Sequence, residues 1–343
     1  MSEFGPGWTT DLASATPAPA PSYTTPSGYE LRPLSTGEIL DRTFALYRQN
    51  FWLYAGLSAM AAAVASVSQV IQYALSSVIT RTSLAAPGHV DWRTISISLS
   101  VTFTASIIFL AAYSVTQAAT TAAVSSIYLG HETSIPLAFG KSRAAWFRYI
   151  LISLWQDWSG LWVIAVIYVA GLALVFTSVT LKITALAIVG GLLFILLLPA
   201  SPYGVIAYIR NALAIPSSVV ENLKVRKTMR RSKDLTSGTK GRIFLLFLLL
   251  FAMKLVAFGI QVPIAIVLQR SHAGQRILAE GLSVILAFLT TTVIGPIGAI
   301  GLCLFYFDQR VRNEGFDIEA LMERSLGIAT EPPPVEPDYP GLV

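Results

Sequence analysis

The chain has 343 residues, of which 54% are hydrophobic and only 13% are charged. Soluble domains carry roughly 25% charged residues, so this chain lacks the polar surface that water requires, and lipid is its expected solvent. A net charge of +5 does not point to nucleic acid, because the basic residues flank apolar runs and no aromatic-rich polar surface lies between them.

Residues 1–33, rich in Pro, Ser, Thr and Ala, read as a disordered tail, since such a segment buries too little apolar area to offset the entropy of ordering it. The stretch before Glu30 holds no Lys or Arg and no apolar core, so no cleavable signal peptide is expected and the first span serves as the insertion signal. Order is expected to begin at Leu34. Ser35 followed by Glu38 spells a capping box, in which each side chain satisfies a free backbone donor of the other residue. On a helical wheel Ile39, Leu40, Thr43, Phe44, Leu46 and Tyr47 share one side, and Glu38, Asp41, Arg42, Arg48 and Gln49 share the other. This predicts an amphipathic interfacial helix, lying on the membrane or packed on the protein's own ends.

Six apolar runs follow: Phe51–Ile79, Ile95–Tyr128, Tyr149–Val179, Ile183–Ile209, Ile243–Leu268 and Leu282–Phe307. Each is long enough for a bilayer core about 30 Å thick at about 1.5 Å per residue. Basic residues orient them. With the N-terminus in the cytoplasm, eighteen of the 24 Lys and Arg fall on that side and five on the other, with Lys254 inside a span. That bias predicts both termini inside, which an even number of spans satisfies.

Small residues mark the packing faces: Ala55, Gly56, Ala59, Ala62, Ala63 and Ser66 in the first span, Ala118, Ala119, Ala122 and Ala123 late in the second, and Gly295, Gly298 and Gly301 in the sixth. They suit packing within one subunit or against a second copy. The loop His131–Arg148 reads as a surface helix leading into the third span. In the loop after the fourth span, Pro216 interrupts the chain, Ser217 or Ser218 offers a cap, one helix is expected to about Leu235, and Gly238 supplies a stop. The charges of Leu223–Arg231 spread over nearly every face. This segment reads as a topogenic loop, with Lys224, Arg226, Lys227, Arg230 and Arg231 as candidate contacts to anionic lipid headgroups.

Two ionisable residues lie within spans, Asp157 in the third and Lys254 in the fifth. Counted from Arg148 and Arg242, their depths differ by only about 5 Å at about 1.5 Å per residue. A charge at membrane depth costs ~2.5–3.5 kcal/mol unless paired or hydrated. Two arrangements follow. Either the two face the bundle interior as a charge pair, or Lys254 snorkels and Asp157 sits in a wet groove among Trp155, Trp158 and Trp162. Pro199–Gly204 and Gly295–Gly298 are candidate helix interruptions of the kind that mark transporter sites, with Gln261 and Pro263 adding polarity in the fifth span.

Catalytic signatures are missing. His89, His131 and His272 stand alone in loops, and there is no zinc helix, phosphate loop or nucleophile elbow. No metal or cofactor is expected. The single cysteine, Cys303, lies in an apolar run and cannot form an intrachain disulfide.

The run Leu34-Ser35-Thr36-Gly37-Glu38-Ile39-Leu40-Asp41-Arg42-Thr43-Phe44, followed by Tyr47-Arg48, resembles the opening of a group of bacterial multi-pass proteins. These are described as related to the membrane domain of glycerophosphoryl diester phosphodiesterase. The resemblance continues at Arg230-Arg231-Ser232 and Leu235 and ends on Phe307-Asp308-Gln309-Arg310-Val311-Arg312-Asn313-Glu314-Gly315-Phe316-Asp317. It implies an all-helical membrane domain of largely unknown role, and it does not imply phosphodiesterase activity, since the soluble catalytic domain of such enzymes has no counterpart among these residues. Both matching ends fall at one membrane face, which suggests a charge latch in which Asp41 and Arg42 pair with Arg310, Asp308 or Glu314.

The sequence thus predicts an all-α, polytopic membrane helix bundle of six spans over residues 34–326, between tails 1–33 and 327–343, in a bacterial inner membrane. The leading expectation for its role is a non-enzymatic scaffold or accessory subunit engaging membrane lipids, a protein partner or a second copy. The alternative is a transporter or lipid-handling protein.

Overall fold

The computed structural model describes residues 32–85, 92–270 and 273–315. The remainder, including most of both tails, His89, His272 and the last residues of the resemblance, lies outside the described residues. Eleven helices and their connections make up the described chain: α1 (Thr36–Gln49), α2 (Phe51–Ala85), α3 (Trp92–Tyr128), α4 (Ile135–Arg143), α5 (Trp146–Leu181), α6 (Thr184–Ile195), α7 (Leu197–Arg210), α8 (Ala214–Glu221), α9 (Val225–Leu235), α10 (Lys240–Arg270) and α11 (Ala273–Glu314). No strand occurs among the described residues. Six segments are long and apolar enough to cross a membrane: Phe51–Val78, Ser96–Tyr128, Trp146–Ser178, Thr184–Glu221, Lys240–Ile264 and Ile277–Glu314. The chain is an all-α polytopic helix bundle. Its outward faces are apolar: Leu198 is 74%, Val256 69% and Phe103 68% exposed. Water would not tolerate such a surface, whereas acyl chains solvate it.

Four spans form the core, with α11 packed on α2, α3 and α10 and α2 packed on α3, and α5 with α6 and α7 forms a hairpin leaning on that group. The core gathers at the end of the bundle that carries α1, α4, α8 and α9, where Tyr54, Leu57, Ala119, Ala123, Ile300 and Phe305 meet. This is the basic end. The capping box forms: Ser35 N–H donates to Glu38 Oε2 at 2.7 Å, and Glu38 N–H to Ser35 Oγ at 3.3 Å. Helix α1 then turns Ile39, Thr43, Leu46 and Tyr47 inward against α11, and the Tyr47 hydroxyl donates to the Val293 carbonyl at 2.8 Å. Most of its apolar face is therefore covered by protein, and Phe44 remains exposed.

Small residues bring the spans together inside the subunit. A methyl group at Gly301 would approach Leu246 Cδ2 to 2.8 Å, so α11 and α10 meet where the sixth span has no side chain. The hairpin is closed by a feature that composition alone did not reveal. Gly160 on α5 faces Gly204 on α7, and Gly171 on α5 faces Gly190 on α6. A Cβ at Gly204 would lie 2.6 Å from the Gly160 carbonyl oxygen, and one at Gly190 2.9 Å from that of Gly171. Only bare backbone permits this approach.

The fourth span is broken, three residues before the expected position. Helix α6 stops at Ile195 and α7 starts at Leu197. Pro199 has no N–H for the carbonyl four residues back, at Ile195, and its ring crowds that carbonyl. The sixth span corrects the second expectation: α11 runs through Pro296 and the three glycines without interruption, as α10 does through Pro263. The connection after the fourth span is also two helices rather than one. Pro216 sits inside the first turn of α8. Asn222, at φ 51°, ends α8, and Ser217 and Ser218 donate to the carbonyls of Ala214 and Leu223 instead of capping. Helix α9 is amphipathic after all. Thr228, Met229, Ser232 and Leu235 are buried on one face, while Lys224, Arg226, Lys227, Arg230 and Lys233 are exposed. Gly238, at φ 83°, makes the turn into α10.

Candidate functional site: a polar cleft between the hairpin and the core

Helix α6 packs on α5 and α7 and makes no substantial contact with the other spans. The hairpin is thus held to the bundle at the basic end, through α5 on α3 and α9 and through α7 on α10. Between hairpin and core lies a cavity of about 550 Å³, within the usual size of small-molecule sites, roughly 300–1,000 Å³. Its walls come from α3, α5, α7, α8, α10 and α11.

Polar side chains converge on this space from apolar helices. Helix α3 contributes Tyr113 and Gln117, α5 contributes Ser153, Gln156 and Asp157, α10 contributes Lys254, and α11 contributes Thr290 and Thr291. Asp157 and Lys254 therefore line one cavity from α5 and α10, but no ion pair within 4 Å joins them, and neither forms one with any other described residue. The pair expected from the sequence does not close directly. Lys254 is exposed and Asp157 half-buried. Gln156 and Ser153 are 6% and 5% exposed, and the Ser153 hydroxyl is buried without a hydrogen-bond partner. An unsatisfied buried hydroxyl costs free energy, of order 1–3 kcal/mol, unless something in the cavity completes it.

The tryptophans do not surround Asp157. Trp155, Trp158 and Trp162 are 49%, 66% and 42% exposed on the outer side of α5, while Ser153, Gln156, Asp157 and Gly160 form its inner side. Helical geometry enforces the separation, because at about 100° per residue Trp155, Trp158 and Trp162 lie roughly 100–160° around α5 from Asp157. Aromatic rings do line the cleft from elsewhere: Phe109 stacks with Tyr113 at 5.9 Å, and Tyr208 meets Phe247 edge-on at 5.5 Å.

At the basic end a charge cluster joins the two termini of the membrane domain. Its members differ from those the sequence suggested. The Asp308 carboxylate is fully buried and accepts from Leu34 N–H at 2.7 Å, Arg242 Nη1 at 2.9 Å and Arg312 Nε at 3.0 Å. Arg242 and Arg312 also donate to the Leu34 carbonyl, at 2.6 and 2.5 Å. Arg242 reaches the Thr36 hydroxyl at 3.0 Å as well. Asp41 is exposed, and Arg42 donates to the Tyr128 hydroxyl at 3.3 Å. Arg310 pairs with Glu314 one turn on.

A second cluster ties α8 and α9 to α11. Arg231 bridges Glu221, at 2.9 Å, and Glu314, and the Tyr306 hydroxyl donates to Glu221 at 2.7 Å. Arg231 thus differs from its neighbours on α9. It is a structural cation, whereas Lys224, Arg226, Lys227 and Arg230 point outward. Sequence reasoning missed Arg242, Arg312, Glu221 and Tyr306, and it missed the cleft residues Tyr113, Gln117, Gln156 and Tyr208. Gln117 and Gln156 did carry a signal, since a primary amide inside an apolar run needs a polar neighbour.

Comparison with protein-family models, curated proteins and solved structures gives no match to this chain.

Proposed function

We propose that this protein is a transport or lipid-handling protein of a bacterial inner membrane that takes a polar-headed ligand into the cleft between its α5–α7 hairpin and the four-span core. The observation that carries the reading is the placement of Asp157 and Lys254. Opposite charges share a cavity at membrane depth, do not neutralise each other, and stand beside a buried hydroxyl with no partner. Intramembrane charges are costly and are retained where they serve a pathway or a ligand. The broken fourth span and the loosely attached hairpin add a moving part of the kind such proteins use. Both termini lie in the cytoplasm in this reading, on the strength of the uneven placement of Lys and Arg. The role is binding, not catalysis.

The scaffold reading rests on a different observation, the exposed basic face of α9, which offers Lys224, Arg226, Lys227 and Arg230 to anionic lipid or an acidic partner. The resemblance of the two ends to the phosphodiesterase-related membrane domains fits either role.

The deciding experiment is thermal unfolding of the purified protein in an alkyl maltoside, read by a thiol-reactive dye on the single, buried Cys303. Soluble zwitterions, short-chain zwitterionic lipids and short-chain anionic lipids serve as probes. The ligand-site reading expects at least one of them to raise the midpoint in the wild type but not in Asp157→Asn or Lys254→Met. No response to any probe, together with one acidic protein co-purifying in stoichiometric amount, would favour the scaffold.

A further inference from the structure

The polar cleft has an apolar annex. A groove of about 490 Å³ runs between α5, α7 and α10, and it shares Asp157, Tyr208, Phe247 and Phe251 with the cavity. Its floor is the close approach of Gly160 and Gly204, where neither helix carries a side chain. Its rim is Leu161, Val205, Phe244 and Leu248, which are 55%, 44%, 44% and 48% exposed on the outer surface of the bundle. Leu161, Ile164, Val205 and Leu248 make the groove almost wholly apolar, with the Ser201 hydroxyl bonded to its own helix at Leu198. The groove therefore opens sideways, toward acyl chains, and leads inward to a space with one carboxylate and one ammonium.

We propose that this composite site takes a single zwitterionic phospholipid, with the headgroup in the cavity and an acyl chain in the groove. The inference rests on the ligand-site reading above and names the substrate class. Three features select that class. First, the two charges are opposite and separate, so a ligand carrying a cation and an anion satisfies both, whereas a purely anionic headgroup meets Lys254 but is repelled by Asp157. Second, Asp157 lines both spaces together with the Tyr208, Phe247 and Phe251 rings, and a carboxylate among aromatic rings suits an ammonium group. Third, the groove and the cavity adjoin, with Asp157, Tyr208, Phe247 and Phe251 lining both, so a lipid seated at this junction places its headgroup in one and its chain in the other. A soluble zwitterion would leave the groove to the surrounding lipid. The seam between hairpin and core supplies the entrance, because α6 packs on α5 and α7 and makes no substantial contact with the other spans.

The test compares dioctanoyl phosphatidylethanolamine, phosphoethanolamine without chains, and dioctanoyl phosphatidylglycerol, each titrated against the protein in alkyl maltoside, with Cys303 labelling as the readout. Phosphatidylethanolamine is expected to raise the unfolding midpoint. Phosphoethanolamine should need at least about tenfold higher concentration for the same shift, because it forgoes burial of the chain. Phosphatidylglycerol should give little shift. Asp157→Asn and Lys254→Met should each abolish the response. Leu248→Trp, which fills the groove and touches no charge, should abolish the response to the chain-bearing zwitterion. Leu161→Trp serves the same purpose if Leu248→Trp lowers the midpoint in the absence of lipid.

Equal shifts with phosphatidylethanolamine and phosphatidylglycerol, unchanged in all variants, would reduce the lipid to ordinary solvent and overturn the proposal. A response to phosphoethanolamine as strong as to the lipid, and insensitive to Leu248→Trp, would refute the acyl-chain arm while leaving the ligand site in place. No response to any probe in the wild type would bring down the ligand-site reading itself.

Discussion

Replacing Asp308 by Ala should loosen the whole bundle, because this carboxylate ties the segment entering α1 to α10 and to the last helix. The side chain has no solvent exposure and receives a backbone N–H from Leu34, a guanidinium from Arg242 and another from Arg312. Removing one partner of a buried ion pair costs about 3–5 kcal/mol, chiefly because the other charge is left without compensation. Here the side chains of Arg242 and Arg312 are 23% and 35% exposed, so water covers part of the loss and the lower figure, about 3 kcal/mol, applies. Cys303 offers an internal gauge. It is the only cysteine, it is buried five residues before Asp308, and it reacts with a thiol reagent only when the core opens. A loss of about 3 kcal/mol raises the open population, and with it the labelling rate, roughly 150-fold, since about 1.4 kcal/mol is tenfold. Asp41→Ala is the control, because Asp41 is exposed. A labelling rate for Asp308→Ala within about twofold of wild type, or an equal effect of Asp41→Ala, would refute the reasoning.

Three further outcomes are expected. Gly204→Ala places a methyl group 2.6 Å from the Gly160 carbonyl oxygen, where backbone on both sides prevents relief. It should lower stability by about 1–3 kcal/mol, whereas Gly259→Ala, with open space around it, should be neutral or slightly stabilising; midpoints in detergent compare the two. Glu38 is held down from 4.5 to about 2, first by the Ser35 backbone N–H and then by Arg32. The folded value lies below the unfolded one, so its contribution is complete above pH 4.5 and fades as the pH falls toward 2; acid titration of helicity should show Glu38→Gln less sensitive than wild type in that window. Replacing Lys224, Arg226, Lys227 and Arg230 by Gln should reduce anionic lipid retained in nanodiscs, at about 1 kcal/mol per charge near the surface. Stability should be unchanged, whereas Arg231→Gln should lower the midpoint, because it breaks the bridges to Glu221 and Glu314.

Much of the architecture was legible because lipid imposes simple rules. A span must satisfy its backbone internally and be apolar over about 20 residues, so Phe51 and Tyr128, read from hydropathy alone, are also where spans begin and end in the structure. The capping box at Ser35 and Glu38 was equally plain, since both partners lie three residues apart. Long-range partners were not. Asp308 meets Leu34 across 274 positions, and no local pattern told Arg242 from the other cations around it. The amphipathicity of α9 was hidden because its buried face uses Thr228 and Ser232, small polar residues that satisfy themselves on carbonyls of the chain. The cleft itself was half visible. Asp157 and Lys254 stood out as charges, but Gln156, Tyr113 and Tyr208 became part of a site only once α5, α3 and α7 were placed side by side.

The most direct test of a polar cleft within the membrane is labelling of single cysteines in native membranes, on a Cys303→Ala background, with a small charged methanethiosulfonate. Asp157→Cys and Thr291→Cys, which line the cavity, should react, while Val169→Cys and Val256→Cys, exposed on the outer faces of α5 and α10, should stay silent in lipid. Silence at positions 157 and 291, or equal labelling at all four, would contradict the account.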